Sequence, residues 1–174
     1  SLFAIQEDKD GNLWLGGRGT GLIRFNGQRF VAYPKSRVLS QGSILSLYED
    51  AERNLWVGTH LGGLNRFRDG AFTSITTEHG LLNNVVWAVF ESKDGMLWAS
   101  PGGGGLQQFS GARLLRTMRK PEIVSDQIRG FLELSPETLW MGTKKEGAVI
   151  WRDGVLQRLE GSPDLDQSWV MALV

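Results

Sequence analysis

The dipeptide Leu-Trp returns at 13–14, 55–56, 97–98 and 139–140, each copy 42 residues beyond the last. No other feature constrains the fold as strongly. A period near 40 with one tryptophan per copy marks a propeller blade of about four strands. The chain therefore reads as all-β, a run of four-stranded antiparallel blades.

The strands follow from the first copy. Leu2-Phe3-Ala4-Ile5-Gln6 alternates loosely and reads as a first strand, a. Asp8–Asn12 is turn chemistry, because Asp10-Gly11 supplies the positive φ that a tight hairpin needs. Leu13–Gly16 reads as strand b, Leu22–Phe25 as strand c and Arg29–Tyr33 as strand d, with Asn26-Gly27 as the c–d turn. Pro34 blocks further pairing.

Adding 42 reproduces this pattern. Strand a gives Ile5, Leu47, Val89 and Phe131, followed two residues on by Glu7, Glu49, Glu91 and Glu133. Strand c ends at Phe25, Phe67, Phe109 and Trp151, and opens each time at Gly21, Gly63, Gly105 and Gly147. The d–a loops carry Leu39, Leu81, Ile123 and Leu165 at one offset, which predicts ordered loops with an apolar residue packed beneath each. The blades span about 1–42, 43–84, 85–126 and 127–168 of a single partial propeller domain. Trp169–Val174 aligns with Ser1–Gln6 and reads as the first strand of a fifth blade. A closed ring of four would not repeat its own first strand. The expected form is an arc of a larger ring, since propellers have about four to eight blades. An arc exposes strand edges and blade faces, which predicts self-association or completion by further blades of the same chain.

Composition narrows the function classes. Lys plus Arg is 19 and Asp plus Glu is 19, so the chain lacks the cationic surplus that binds nucleic acid or an anionic membrane surface. There is no Cys, which excludes disulfides and Cys-ligated metal. No apolar run is long enough to span a membrane. No cofactor or metal site is expected, because no metal-ligand spacing and no Ser/His/Asp arrangement can be defended.

The recurring residues read as structural. Trp14, Trp56, Trp98 and Trp140 are expected in equivalent buried positions, wedged between neighbouring blades. The four glutamates beside the turns are expected to accept turn N–H groups. The glycine runs at 16–21 and 102–105 are followed by strands, not by the helix N-terminus that phosphate cradling requires.

Specialisation should appear where the repeat is broken. The a–b and c–d turns share one face of a propeller, and the longer b–c and d–a loops share the other. Loops on a rigid scaffold carry function, so the second face is the expected binding face. In the b–c loops the deviating residues are Arg18, His60, Pro101 and Lys144-Lys145. The third position of strand a reads Phe3, Leu45, Trp87, Arg129 and Met171, and Trp87 with Arg129 sets an aromatic and a cation near the channel mouth. That pair suits sugar or anion recognition, or else fills the channel. Arg18, His60, Trp87, Arg129 and Lys144 are therefore the candidate ligand-binding residues, with no catalytic residue among them.

The repeat resembles the two-component regulator propeller family. The matching residues are Asn84–Glu91, Asp94-Gly95-Met96-Leu97-Trp98 and Gly105-Leu106, and in the first copy Glu7–Gly16 with Gly21–Phe25. His79–Asn84 is similar to the family's segment leading into a new blade. The fourth copy departs from the pattern: Ser135-Pro136-Glu137-Thr138 replaces the Asp-Gly turn, and Ala148 replaces a leucine. The resemblance implies a periplasmic sensor region of a membrane-anchored bacterial receptor, one that binds an oligosaccharide or other small molecule and signals to a kinase or cyclic-dinucleotide output. Two other classes compete with a non-catalytic sensor. One is a lyase of the virginiamycin B lyase type, for which His60 with Glu78 or His79 are the candidate residues. The other is a protein-interaction scaffold.

Overall fold

The computed structural model describes residues 1–33, 39, 42–125, 127–135, 138–158 and 170. Sixteen strands form four sheets of four. The first holds β1 (Leu2–Glu7), β2 (Leu13–Gly17), β3 (Gly21–Phe25) and β4 (Phe30–Tyr33), and the second β5 (Ile44–Glu49), β6 (Leu55–Thr59), β7 (Leu64–Arg68) and β8 (Ala71–Ile75). The third holds β9 (Val86–Glu91), β10 (Leu97–Pro101), β11 (Leu106–Ser110) and β12 (Arg113–Met118), and the fourth β13 (Ile128–Ser135), β14 (Thr138–Thr143), β15 (Ala148–Arg152) and β16 (Val155–Arg158). Each sheet keeps sequence order from one edge to the other. This is the arrangement expected of consecutive hairpins.

The turns have the expected physical cause. Asp69-Gly70 and Asp153-Gly154 hold positive φ at both central residues, as a two-residue hairpin turn matched to strand twist demands. Ser135 pairs with Thr138, so β13 and β14 form a hairpin although the Asp-Gly turn is missing. Residues 136–137 of its connection lie outside the described residues, as do Leu165 and all of the 169–174 segment except Val170.

The chain divides into two compact units, Ser1–Val89 and Phe90–Val174. Within each, one sheet meets the next at a repeated contact on strand b. A Cβ on Gly16 would lie 2.3 Å from Ile44 Cγ2, and one on Gly58 would lie 2.9 Å from the Val86 carbonyl oxygen. In the second unit, a Cβ on Gly142 would lie 2.5 Å from the Val170 oxygen. At the corresponding offset the second unit also carries Ser100, whose Oγ donates to the Ile128 carbonyl at 2.9 Å. The middle of strand b therefore stays small, so that the first strand of the next sheet can lie against it.

Aromatic side chains fill the space beside this contact. Trp14 packs edge-on against Phe67 at 5.6 Å and beside Tyr33 at 5.3 Å. Trp98 packs edge-on against Trp151 at 5.2 Å. The Trp14–Phe67 and Trp98–Trp151 pairs each join strand b of one sheet to strand c of the next, the wedge expected of the repeated tryptophan. Trp14, Trp56 and Trp98 are buried, at 5%, 1% and 2% exposure. Trp140 departs from the expectation and is only half-buried. Leu39, Leu81 and Ile123 are buried as predicted.

Candidate functional site

The b–c connections begin at one structural position. The backbone N–H groups of Arg18, His60 and Lys144 donate to the carbonyls of Ser1, Ser43 and Gln127, each at 2.9 Å. These bonds extend the a–b ladder by one rung and fix where the loop leaves the sheet. The backbone does the structural work there, so the side chain can vary. It is an arginine, a histidine, Gly102 and a lysine in successive copies. In two copies a threonine closes the loop behind it. Thr59 Oγ1 donates to the Gly63 carbonyl at 2.9 Å and accepts the Gly62 N–H at 2.8 Å. Thr143 repeats this with Gly147 and Glu146.

Arg18 and His60 are exposed and Lys144 is half-buried. Trp87 and Arg129, at one offset on the first strands β9 and β13, are also half-buried. Burial pulls the Arg129 guanidinium below its usual pKa, and its Nη1 donates to the Ile128 carbonyl at 3.1 Å. Arg18, His60 and Trp87 belong to the first unit, and Arg129 and Lys144 to the second. Near Lys144, the Glu146 carboxylate is pushed up by burial. It is pulled down further by hydrogen bonds from Ser125 Oγ at 2.8 Å and Lys120 Nζ at 3.1 Å, so its pKa ends below the ordinary value.

His79 is engaged in its own turn. Its Nδ1 accepts the Thr76 backbone N–H at 3.2 Å and lies 3.0 Å from Thr76 Oγ1, which closes the short 3₁₀ turn Thr77–His79. That nitrogen is occupied, and among the described residues no three His, Cys, Asp or Glu side chains come together as metal ligands.

The opposite edge of the sheets, where the tight a–b and c–d turns lie, is more highly organised than the sequence reading foresaw. Asp8 accepts the Asn12 backbone N–H at 2.8 Å, the Asn12 side-chain amide at 2.8 Å and the Trp14 indole N–H at 2.8 Å. Asp50 accepts the corresponding bonds from Asn54 and from the Trp56 indole. In the third copy Ser92 Oγ accepts the Trp98 indole N–H at 2.9 Å and lies 2.6 Å from Asp94 Oδ1, to which it can donate. The fourth copy has Leu134 at that offset, with its side chain 63% exposed. This accounts for the half-burial of Trp140: an indole N–H with no acceptor at that offset among the described residues is costly to bury. The column Asp8, Asp50, Ser92, Leu134 was available in the sequence as the residue after each glutamate.

Two of the four glutamates, Glu49 and Glu133, bond to turn N–H groups as expected, but the turn belongs to the preceding sheet. Glu49 Oε2 accepts the Lys9 N–H, and Glu133 Oε2 the Lys93 N–H. Above each latch lies a recess between consecutive sheets. In the first unit it has about 310 Å³, with Trp14, Arg24, Tyr33 and Phe67 in its wall and Arg53 and Asp69 at its lip. The second unit has a counterpart of about 200 Å³, with Trp98, Gln108 and Trp151.

Comparison with known proteins supports the family resemblance over part of the chain. Residues 1–19 and 38–60 match the family model described as two component regulator propeller. No curated protein matches the sequence. Among solved structures, the extracellular domain of the putative hybrid two-component system BT3049 of B. thetaiotaomicron is similar over 95% of this chain. That match has a TM-score of 0.75 and 22% identity. The corresponding domain of BT4673 from the same organism is similar over 91%, with a TM-score of 0.76 and 22% identity. The chain spans about a quarter of the length of either, 25% in both cases. Virginiamycin B lyase of Staphylococcus aureus is similar over 95% of this chain and 57% of its own, with a TM-score of 0.77 and 11% identity. These likenesses establish the β-propeller fold.

Proposed function

We propose that this chain is a non-catalytic ligand-sensing segment of a propeller in a bacterial transmembrane receptor, lying on the periplasmic side of the inner membrane. The observation that carries the reading is the repeat-family match at 1–19 and 38–60, supported by the likeness to extracellular sensor domains. Among the described residues, no helix is long and apolar enough to cross a membrane. The ligand is an oligosaccharide or other small molecule; Arg18, His60 and Trp87 are its contacts in the first unit, and Arg129 and Lys144 offer a separate set in the second. The scaffold supports this because it fixes the backbone of the loop positions while their side chains differ from copy to copy.

Thermal unfolding in the presence of an oligosaccharide panel tests this. A ligand should raise the Tm of the native chain, and R18A, H60A or W87A should abolish that rise. The lyase reading is supported only by fold likeness, and the occupied Nδ1 of His79 speaks against a His60/His79 pair. Turnover of a cyclic peptide or glycan that disappears in H60A would overturn the sensor reading. A stable complex with a protein partner, unaffected by any glycan, would favour a scaffold.

A further inference from the structure

Asn26 is the one asparagine of the chain that is followed by a glycine. It opens the turn between β3 and β4, and both it and Gly27 are exposed. Its Oδ1 accepts the backbone N–H groups of Gln28 at 3.1 Å and Arg29 at 2.9 Å. Among the described residues its Nδ2 donates to nothing, and neither does the Gly27 backbone N–H. Gly27 has a φ of +84°, and a Cβ placed on it would meet nothing within 4 Å. An open backbone nitrogen with no side chain beside it therefore follows a side-chain carbonyl that two N–H groups polarise. Those donors draw electron density from Cγ and would stabilise negative charge forming on Oδ1, in the manner of an oxyanion hole.

The other five asparagines are held differently. The amide nitrogens of Asn12 and Asn54 donate to the carboxylates of Asp8 and Asp50. Asn65 is buried, with its Nδ2 against the carbonyls of Val57, Gly62 and Gly63. Asn83 and Asn84 are half-buried, and the residue after each carries a side chain. The Val85 N–H is also engaged, donating to Asn83 Oδ1 at 2.9 Å. The equivalent turns of the later copies read Asp69-Gly70, Ser110-Gly111 and Asp153-Gly154, so the amide is particular to the first copy.

We propose that Asn26 is a modification site, deamidated spontaneously through a succinimide with water as the co-reactant. The Gly27 nitrogen attacks Asn26 Cγ and gives up its proton, the Cγ–Nδ2 bond breaks, and Nδ2 leaves as ammonia. The five-membered imide then takes up one water. Opening at Cγ gives aspartate in an ordinary backbone. Opening at the main-chain carbonyl gives isoaspartate, whose backbone runs through Cγ. No atom is oxidised or reduced. The aspartate can keep both N–H bonds and reproduces the dipeptide of the second and fourth copies. The isoaspartate lengthens the β3–β4 connection by one methylene, next to the Phe25 and Phe30 rings, whose centres lie 4.6 Å apart. Either product sets a new carboxylate near the exposed Phe30.

The test is peptide mapping by mass spectrometry of the 174-residue chain held in mildly alkaline buffer. The fragment containing Asn26 should gain the mass of an amide-to-acid exchange, with aspartate and isoaspartate forms separated by chromatography. Fragments holding the other asparagines should stay unchanged over the same interval. G27A should slow the conversion roughly tenfold or more, because a methyl group crowds the attacking nitrogen. Alanine is strained at that φ, so a second measurement leaves the sequence intact. The chain unfolded in guanidinium chloride should convert no more than about tenfold faster than the folded chain, since the turn leaves the reacting atoms open. Conversion arrested by folding would overturn the proposal. So would faster conversion at another asparagine, or an unchanged rate in G27A.

Discussion

Glu49 Oε2 accepts the backbone N–H of Lys9 at 2.7 Å, reaching from the end of β5 to the a–b turn of the preceding sheet. Glu133 does the same to Lys93, also at 2.7 Å. Within each unit a glutamate of the repeat thus ties one strand a, β5 or β13, to the turn before it. Removing the carboxylate should expose that N–H. We expect E133A to lose about 0.5–1.5 kcal/mol, the usual net worth of one hydrogen bond. Amide hydrogen exchange at Lys93 should quicken, and an unchanged exchange rate there would show that the latch is not formed in solution.

The indoles should not be equivalent. W56A removes a fully buried ring whose N–H is bonded to Asp50 at 2.8 Å, and should cost about 3–5 kcal/mol in urea unfolding. Trp140 is half-buried, and W140A should cost clearly less. Equal losses would mean that the fourth copy packs like the others.

The glycine contacts between sheets leave no room for a methyl group. In G58A the new Cβ would meet Val86 oxygen at 2.9 Å and Ser46 Oγ at 2.2 Å. Overpacking of this kind costs about 1–3 kcal/mol. G70A tests a different limit, because its surroundings are open but its φ is +81°. It should lose about 1 kcal/mol from backbone strain alone. Denaturation midpoints of the two variants compare the two costs.

The Asp8 carboxyl is pushed up by burial, but the hydrogen bonds from Asn12, Trp14 and Asp10 together bring its pKa below the ordinary 3.8. A group whose folded pKa is depressed stabilises the fold above its unfolded pKa and loses that stabilisation as pH falls through the folded value. Glu146 behaves in the same sense from an ordinary 4.5. Stability should therefore hold from neutral pH to about 5 and decline below about pH 4. The decline should be smaller in D8N than in the native chain, relative to each at pH 7. Parallel acid titrations by tryptophan fluorescence check this.

The outer face of the first sheet should be adhesive. Leu2 and Ile5 are 50% and 60% exposed, whereas Ile44 and Leu47, one repeat later, are covered by the preceding sheet. Apolar burial yields about 25 cal/mol per Å². Sedimentation should show concentration-dependent association that I5K weakens, and a monomer at all concentrations would contradict the expectation.

The strands, the turns and the wedge position of the tryptophans were legible in the sequence. They rest on local chemistry repeated every 42 residues: Asp-Gly and Asn-Gly dipeptides fix hairpins, and alternation fixes strands. The loop residues Arg18, His60 and Lys144 were likewise found as breaks in the repeat, and the structure gives them one shared backbone setting. What depends on two copies meeting was not legible. Glu49 acts on Lys9 across 40 positions, and nothing local to either residue specifies the partner. The half-burial of Trp140 follows from Leu134 standing where an indole acceptor belongs, and it becomes visible only once Trp14 is seen to bond to Asp8. Arg24 reads as an ordinary strand cation until the next sheet roofs it over, leaving its Nε buried beside Trp14 with no partner among the described residues. Local sequence sets backbone conformation because its causes lie within a few bonds. Desolvation and charge pairing depend on which surfaces come together, and only the tertiary structure decides that.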